Sequence, residues 1–376
     1  MGVNVLTMGD LHVGTIDPAV LLEHIRTYFI PEIKKEETDL VVFLGDWWDK
    51  AVSANSATAR ASFTIFGEVR DACIECNKPF RMILGTKGHD NDQLELFNQF
   101  KQDGFNFRII THVESEFVLP NFKVLYIPEE YMEDKDEYYK DYFKGEYDMI
   151  FMHGMIKDVA FVAKNQEGEL THAKAPVFDV EELISICRGP IMSGHIHSKM
   201  IVADRFVYNG SFERFIFGEE EKKGFFRTKY DRSGNFEIEF IENKGALLMP
   251  TLEMTFDNNS PTDLREALSL VIQMKESVKY DKLRFKILID ENYPKPQLLV
   301  DAIKELFAQD KDVKIIFKSN AKIKKDEKVK EQIEKLMKMY DYLFDKSIDY
   351  ATKITRFIKE TTNKEISEEK IKEYIY

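Results

Sequence analysis

Through its first two-thirds the chain alternates short β-rich apolar runs with stretches whose apolar positions recur at helical spacing. Residues 40–44, LVVFL, are continuously apolar, which predicts a strand buried on both faces. Residues 3–8 and 80–84 predict two more strands, and residues 18–32 and 57–76 the helices between them. Strands are expected again at 107–111, 123–127, 149–152, 190–193 and 200–203. Strands joined by helical crossovers in this rhythm predict an α/β sandwich, because each apolar sheet face needs a covering layer.

Beyond Gly224 the pattern changes. Residues 224–230 and 235–241 flank Asp231-Arg232-Ser233-Gly234, a turn sequence, and predict a closing hairpin. Residues 244–250 resemble a linker. A smaller α/β unit follows, with strands at 251–256, 283–289 and 313–317 and helices at 262–276 and 295–308. Residues 314–330 are Lys-rich. From 326 to 376 only helical patterning remains, with an apolar stripe at Ile333, Leu336, Met337 and Tyr340, then Ile348, Ala351, Ile354, Phe357 and Ile358. The expected domains are therefore 1–245, 250–320 and 326–376.

Composition narrows the class. A chain of 376 residues with 44% hydrophobic and 12% aromatic content can build a packed core. No apolar run approaches the roughly 20 residues of a membrane span. The first residues lack the basic and apolar regions of a signal peptide. Three cysteines, Cys73, Cys76 and Cys187, make no disulfide framework and point to a reducing cytoplasm. A net charge of −13 works against holding nucleic acid by charge alone. Metal sites need carboxylates, however, and bound divalent ions return positive charge where a substrate sits. The acidic residues group away from the motifs below, as at 129–141 and 219–221.

Five short motifs end predicted strands: Asp10-x-His12, Gly45-Asp46-Trp47-Trp48-Asp49, the loop from Gly85 to His89-Asp90, His153, and Gly194-His195-x-His197. Carboxyl ends of strands are where open α/β sheets place their ligands. A single Asp or His there is ordinarily a turn residue, but five in succession are a pattern. D-x-H and H-x-H aim both side chains one way if the backbone stays extended. Carboxylate and imidazole donors without thiolates suit Mn²⁺, Fe or Zn²⁺ better than Ca²⁺. Trp47 and Trp48 read as packing.

The order D-x-H, G-D-x-x-D, H-D, H-G, G-H-x-H resembles the calcineurin-like metallophosphoesterase superfamily, and within it the SbcD-like nuclease subunits with their meiotic-recombination and phage counterparts. Residues 208–214 (YNGSFER), 217–219 (FGE) and 223–225 (KGF) are similar to segments that follow the last metal motif in those nucleases. The motif resemblance covers about residues 1–240. It implies a four-layer α-β-β-α sandwich with a small α/β capping domain and a helical C-terminal tail. It implies two divalent ions, Mn²⁺ or alternatively Mg²⁺. Asp10, His12 and His197 would hold one, His153 and His195 the other, and Asp46 would bridge. His89 would act as acid or transition-state stabiliser at the leaving oxygen, with Asp49 and Asp90 orienting histidines.

One departure stands out. The family places an Asn ligand directly before the catalytic His, and here that residue is Gly88, which leaves Thr86, Asn91 or water to supply the missing oxygen. The implied function is an Mn²⁺-dependent DNA exonuclease and endonuclease in the cytoplasm of a bacterial or phage-infected cell. It would work in recombination, repair or end processing with an SbcC-like coiled-coil ATPase docked on the C-terminal helices. The resemblance also implies a homodimer, and helix 57–76 points the same way, with Phe63, Ile65, Phe66 and Val69 on more than one face. Two alternatives stay open: a phosphatase or cyclic phosphodiesterase for small molecules, and a scaffold of the same fold with weakened catalysis.

Overall fold

The computed structural model describes residues 2–157, 159, 175–231, 233–319, 342–343, 348–362 and 364–375. The chain divides into two compact units, one of Met1–Phe215 with Glu221–Ala246 and one of Ile216–Glu220 with Leu247–Tyr376.

Among the described residues, fourteen strands belong to the first unit: β1 (Val3–Met8), β2 (Leu40–Phe43), β3 (Phe80–Ile83), β4 (Phe107–Ile110), β5 (Glu114–Leu119), β6 (Phe122–Ile127), β7 (Met149–His153), β8 (Met155–Ile156), β9 (Val177–Phe178), β10 (Ile191–Gly194), β11 (Met200–Val202), β12 (Phe206–Tyr208), β13 (Gly224–Tyr230) and β14 (Phe236–Glu242). They form two six-stranded sheets, β14-β13-β1-β2-β3-β4 and β11-β12-β10-β7-β6-β5, with β8 and β9 as a separate pair. Strands β1 to β4 run parallel, as do β6, β7, β10 and β12. The hairpin β13–β14 adds to the first sheet antiparallel through β1.

Alternation along the central strands explains the layering. Val5, Leu40, Val42 and Ile83 of the first sheet share a core with Val124, Tyr126, Phe151, Met192 and Val207 of the second. The opposite face of the second sheet, with Leu125, Ile127, Ile150 and Met152, is covered by Val180 and Leu183 of a short helix. On the first sheet, Phe66 of helix Ala57–Glu75 packs on Phe80 and Phe107. The α/β sandwich expected from the sequence is thus the fold observed.

Strands β5, β8, β9 and β12 were not anticipated. The charged Glu114 and Glu116 mask β5, yet Glu116 is used inside: it takes the buried Arg81 guanidinium at 2.6 Å. The excess apolar character of helix Ala57–Glu75 also finds an internal use. Phe63 packs on Trp48, Phe97 and Phe100 of its own chain, which removes the observation that pointed that helix to a dimer.

The second unit holds a parallel sheet of β15 (Thr251–Phe256), β16 (Leu283–Ile289) and β17 (Val313–Ser319) with helices Leu264–Glu276 and Pro296–Leu306 on its apolar face. Phe357 of helix Tyr350–Thr362 packs against the same core. Ile333, Leu336, Met337 and Tyr340, and the Lys-rich run beyond Ser319, lie outside the described residues. Among the described residues no helix is long and apolar enough to cross a membrane.

Candidate metal centre

The parallel strands of both sheets deliver the five motifs to one place. Asp10, Leu11, His12 and Val13, which follow β1, donate backbone N–H bonds to Gly45, Asp46, Asp46 and Trp47 after β2, at 2.9–3.0 Å. These bonds lock two loops together. The backbone is not extended there: Asp10, His12, Asp46 and His195 have φ of 50°, 43°, 55° and 87°. The expectation that extended D-x-H and H-x-H segments aim their ligands therefore fails. Left-handed turns aim them instead, a strained backbone of the sort that clusters at functional sites. Close approach is also built in. A Cβ on Gly85 would stand 2.3 Å from Asp46 Oδ1, and one on Gly45 would stand 2.4 Å from His153 Nδ1.

Asp10, His12 and His197 bring donor atoms within 4.8 Å of one another. His12 Nε2 lies 3.0 Å from His197 Nε2. The Asp10 carboxylate accepts the His195 backbone N–H at 2.9 Å, which ties the end of β10 to the end of β1. The Phe215 ring packs edgewise on both imidazoles. Asp46, His153 and His195 make a second group of the same dimensions. His153 Nδ1 donates to the Leu44 carbonyl at 2.6 Å, which turns Nε2 toward Asp46 Oδ2 at 3.3 Å. That same oxygen is 3.8 Å from His12 Nε2, so Asp46 faces both groups. Its other oxygen accepts the Thr86 N–H at 2.6 Å.

Donors about 2.0–2.3 Å from one ion, at angles of 90–110°, stand about 3.0–3.5 Å apart. The nitrogen pairs here fall in that window: 3.0 Å in the first group, and 3.3 Å between His195 Nδ1 and His153 Nε2 in the second. Charge gives a second test of fit. Asp10, Asp46 and Glu129 are buried, and the ion pairs of the latter two are to imidazoles, His12 and His153 for Asp46 and His195 for Glu129. Buried carboxylates at such density call for cations. The donor set fits divalent metal.

The electrostatics agree. Burial pushes the Asp10 carboxyl up to about 6, against the pull of His153 and His197. Burial also acts on Asp46, but His153, His12 and His89 outweigh it and hold Asp46 well below the usual carboxylate range. Burial holds His12 well below the ordinary imidazole value, which keeps it in the neutral form a ligand needs. For His153 the Asp46 carboxylate outweighs burial and raises it to about 10.

The three residues expected to do catalysis or orient histidines are placed unevenly. His89 stands beside the first group, its ring 4.5 Å from that of His12, and its Nδ1 donates to the Asp49 backbone carbonyl. Asp49 thus orients His89 through its main chain, while its carboxylate lies 3.8 Å from Lys50. Asp90 holds backbone rather than a histidine: its buried carboxylate accepts N–H bonds from Asp46, Gly85 and Trp48 at 3.0, 2.9 and 3.1 Å. His89 also forms a third possible ligand group with His12 and Asp46.

Glu129 was missed from the sequence. It was grouped with acidic residues away from the motifs, but it follows β6 and its side chain enters the site, with Oε2 3.2 Å from His195 Nδ1. The available signal was its position, two residues past a strand parallel to β7, where the neighbouring strand ends in His153. Thr86, one of the three candidates for the missing oxygen, reaches the same point, whereas Gly88 borders open space.

No family model matches the chain, and no curated protein matches it. Among solved structures, one described only as a crystal structure shares 12% identity over 64% of this chain and 100% of its own, with a TM-score of 0.35. A cold-active protein tyrosine phosphatase shares 10% identity over 62% of this chain and 78% of its own, with a TM-score of 0.29. Likenesses this slight carry no weight for fold or function.

Proposed function

We propose that the chain is a two-metal phosphoesterase that cleaves nucleic-acid phosphodiester bonds, as an SbcD-like nuclease subunit does. The observation that carries this reading is the pair of ligand groups that meet at one Asp46 oxygen, with His89 alongside. Two divalent ions there would supply Lewis acidity to a water and neutralise charge on the phosphoryl group. The chain's own residues do the rest. Asp46 sets the spacing of the two groups, and Asp90 fixes the Asp46 loop by its backbone. His89, with Nδ1 bound to the Asp49 carbonyl, presents Nε2 for proton transfer to a leaving oxygen. The reading extends to a coiled-coil ATPase partner on the C-terminal helices. Phe357 and Ala351 are already packed within their own unit, so that docking would draw on other residues of the stripe.

The net charge of −13 favours a second reading, hydrolysis of small phosphomonoesters or cyclic phosphodiesters. Parallel assays on single-stranded DNA, duplex DNA, a nucleoside monophosphate and a cyclic nucleotide separate the two. The nuclease reading expects kcat/KM on DNA to exceed that on either nucleotide. Turnover confined to the nucleotides would replace it with the second.

A further inference from the structure

We infer that Glu129 and Thr86 complete the second ligand group, so that with Asp46, His153 and His195 they form a five-donor, octahedral-type shell for a hard divalent cation such as Mn²⁺ or Mg²⁺. The inference rests on the two-metal reading and adds to it two ligands that stand in for the amide the loop lacks.

Thr86 Oγ1 lies 3.3 Å from Asp46 Oδ2, 3.4 Å from Glu129 Oε2, 3.3 Å from His153 Nε2 and 3.3 Å from His195 Nδ1. A hydroxyl has one proton to give, so it cannot donate to all four. The four themselves follow one another around Thr86: Asp46 to His153 at 3.3 Å, His153 to His195 at 3.3 Å, His195 to Glu129 at 3.2 Å. In an octahedron with bonds of about 2.1–2.3 Å, neighbouring donors are about 3.0–3.3 Å apart. Thr86 Oγ1 thus stands about equally far from four donors that follow one another, as one corner of an octahedron does from its neighbours, and solvent or substrate would supply a remaining position. Three oxygens and two imidazoles in this geometry favour Mn²⁺ or Mg²⁺ over tetrahedral Zn²⁺.

Both added donors are held in place. The Thr86 N–H is bound by Asp46 Oδ1. Glu129 donates its own N–H to the Leu84 carbonyl at 3.2 Å, and Tyr131 gives its hydroxyl to Glu129 Oε1 at 2.7 Å, which directs Oε2 inward. Outer partners of this kind are what orient a ligating carboxylate. A Cβ at Gly88 would meet nothing within 4 Å, and the glycine itself offers the group no side-chain donor.

The test is a Mn²⁺ titration of the chelator-stripped full chain, reading free Mn²⁺ by its electron paramagnetic resonance signal. Co²⁺ visible spectra, whose absorption strengthens as coordination number falls, would accompany it. Wild type should bind two ions. Glu129→Gln should keep one at wild-type affinity and weaken the other by tenfold or more, since even outer-shell changes cost about 10–100-fold. Its Co²⁺ absorption should strengthen. Thr86→Val, which removes only the hydroxyl, should weaken the same ion by less, and it serves if Glu129→Gln fails to fold by circular dichroism. Two ions bound at wild-type affinity with an unchanged Co²⁺ spectrum in both variants would overturn the inference and make Glu129 a positioning residue for His195. Loss of both ions together in Glu129→Gln would also overturn it. Asp46→Ala in parallel keeps the two levels apart: if wild type binds no more Mn²⁺ than Asp46→Ala, it is the two-metal reading that falls.

Discussion

The two ligand groups that meet at Asp46 are built in different ways. The first takes Asp10, His12 and His197 from two compact motifs, D-x-H and H-x-H, and packs Phe215 across its imidazoles. The second gathers Asp46, Thr86, Glu129, His153 and His195 from the ends of β2, β3, β6, β7 and β10. The first joins the turns after two strands, β1 and β10, one from each sheet, and the second depends on the register of five strands across both sheets. The second should therefore be the half that sequence change tunes, and the half that loosens when the fold is perturbed.

Asp46→Ala tests the shared element and should have the largest effect. Metal analysis is expected to show both ions lost and cleavage abolished, whereas His12→Ala and His153→Ala each lose mainly one. Full occupancy in Asp46→Ala would end the comparison, since the groups would then share nothing. Next comes His89→Ala. Cleavage should fall about 10²–10⁴-fold, the usual worth of a general acid, with metal content nearly unchanged. Metal loss equal to that of His12→Ala would instead make His89 a ligand of the first group.

Asp90→Ala probes the scaffold behind the second group. It strips the acceptor from three buried N–H groups, those of Asp46, Gly85 and Trp48. At about 1–3 kcal/mol for each, stability should drop by about 3 kcal/mol or more. Denaturant unfolding would measure it, and a change under about 1 kcal/mol would mean that water replaces the carboxylate.

The smallest effect concerns protons. Asp46 raises His153 to about 10, so in the metal-free chain His153 is an imidazolium at neutral pH. An ion must displace that proton, and raising the pH removes the competitor. Mn²⁺ should thus bind more tightly at pH 8 than at pH 6, by up to about tenfold per pH unit for one proton released. Calorimetry in buffers of different ionisation heat counts the proton directly. Affinity that falls with rising pH would contradict the sign.

The same division marks what the sequence disclosed. Strand β2 was legible because both its faces are buried, and Asp10, His12, Asp46, His153, His195 and His197 were legible because each sits in a short pattern at a strand end. Glu129 was hidden by the acidic run that follows it, although its place after β6 matches that of the histidines. Asp49 was expected to orient a histidine and does so for His89, but through a carbonyl that every residue carries, which no side-chain pattern reveals. The aim of Asp10 and His12 was misjudged because left-handed φ at non-glycine residues is set by the inter-loop hydrogen bonds, not by local preference.

The central claim, that two ions held through Asp46 drive phosphodiester cleavage, is tested most directly by stripping the full chain with chelator and adding back Mn²⁺ while cleavage of a DNA substrate is followed. The account predicts no cleavage in chelator, and recovery that becomes complete only after the second ion binds. Cleavage that persists in chelator, or none from a chain carrying two Mn²⁺ ions, would contradict it.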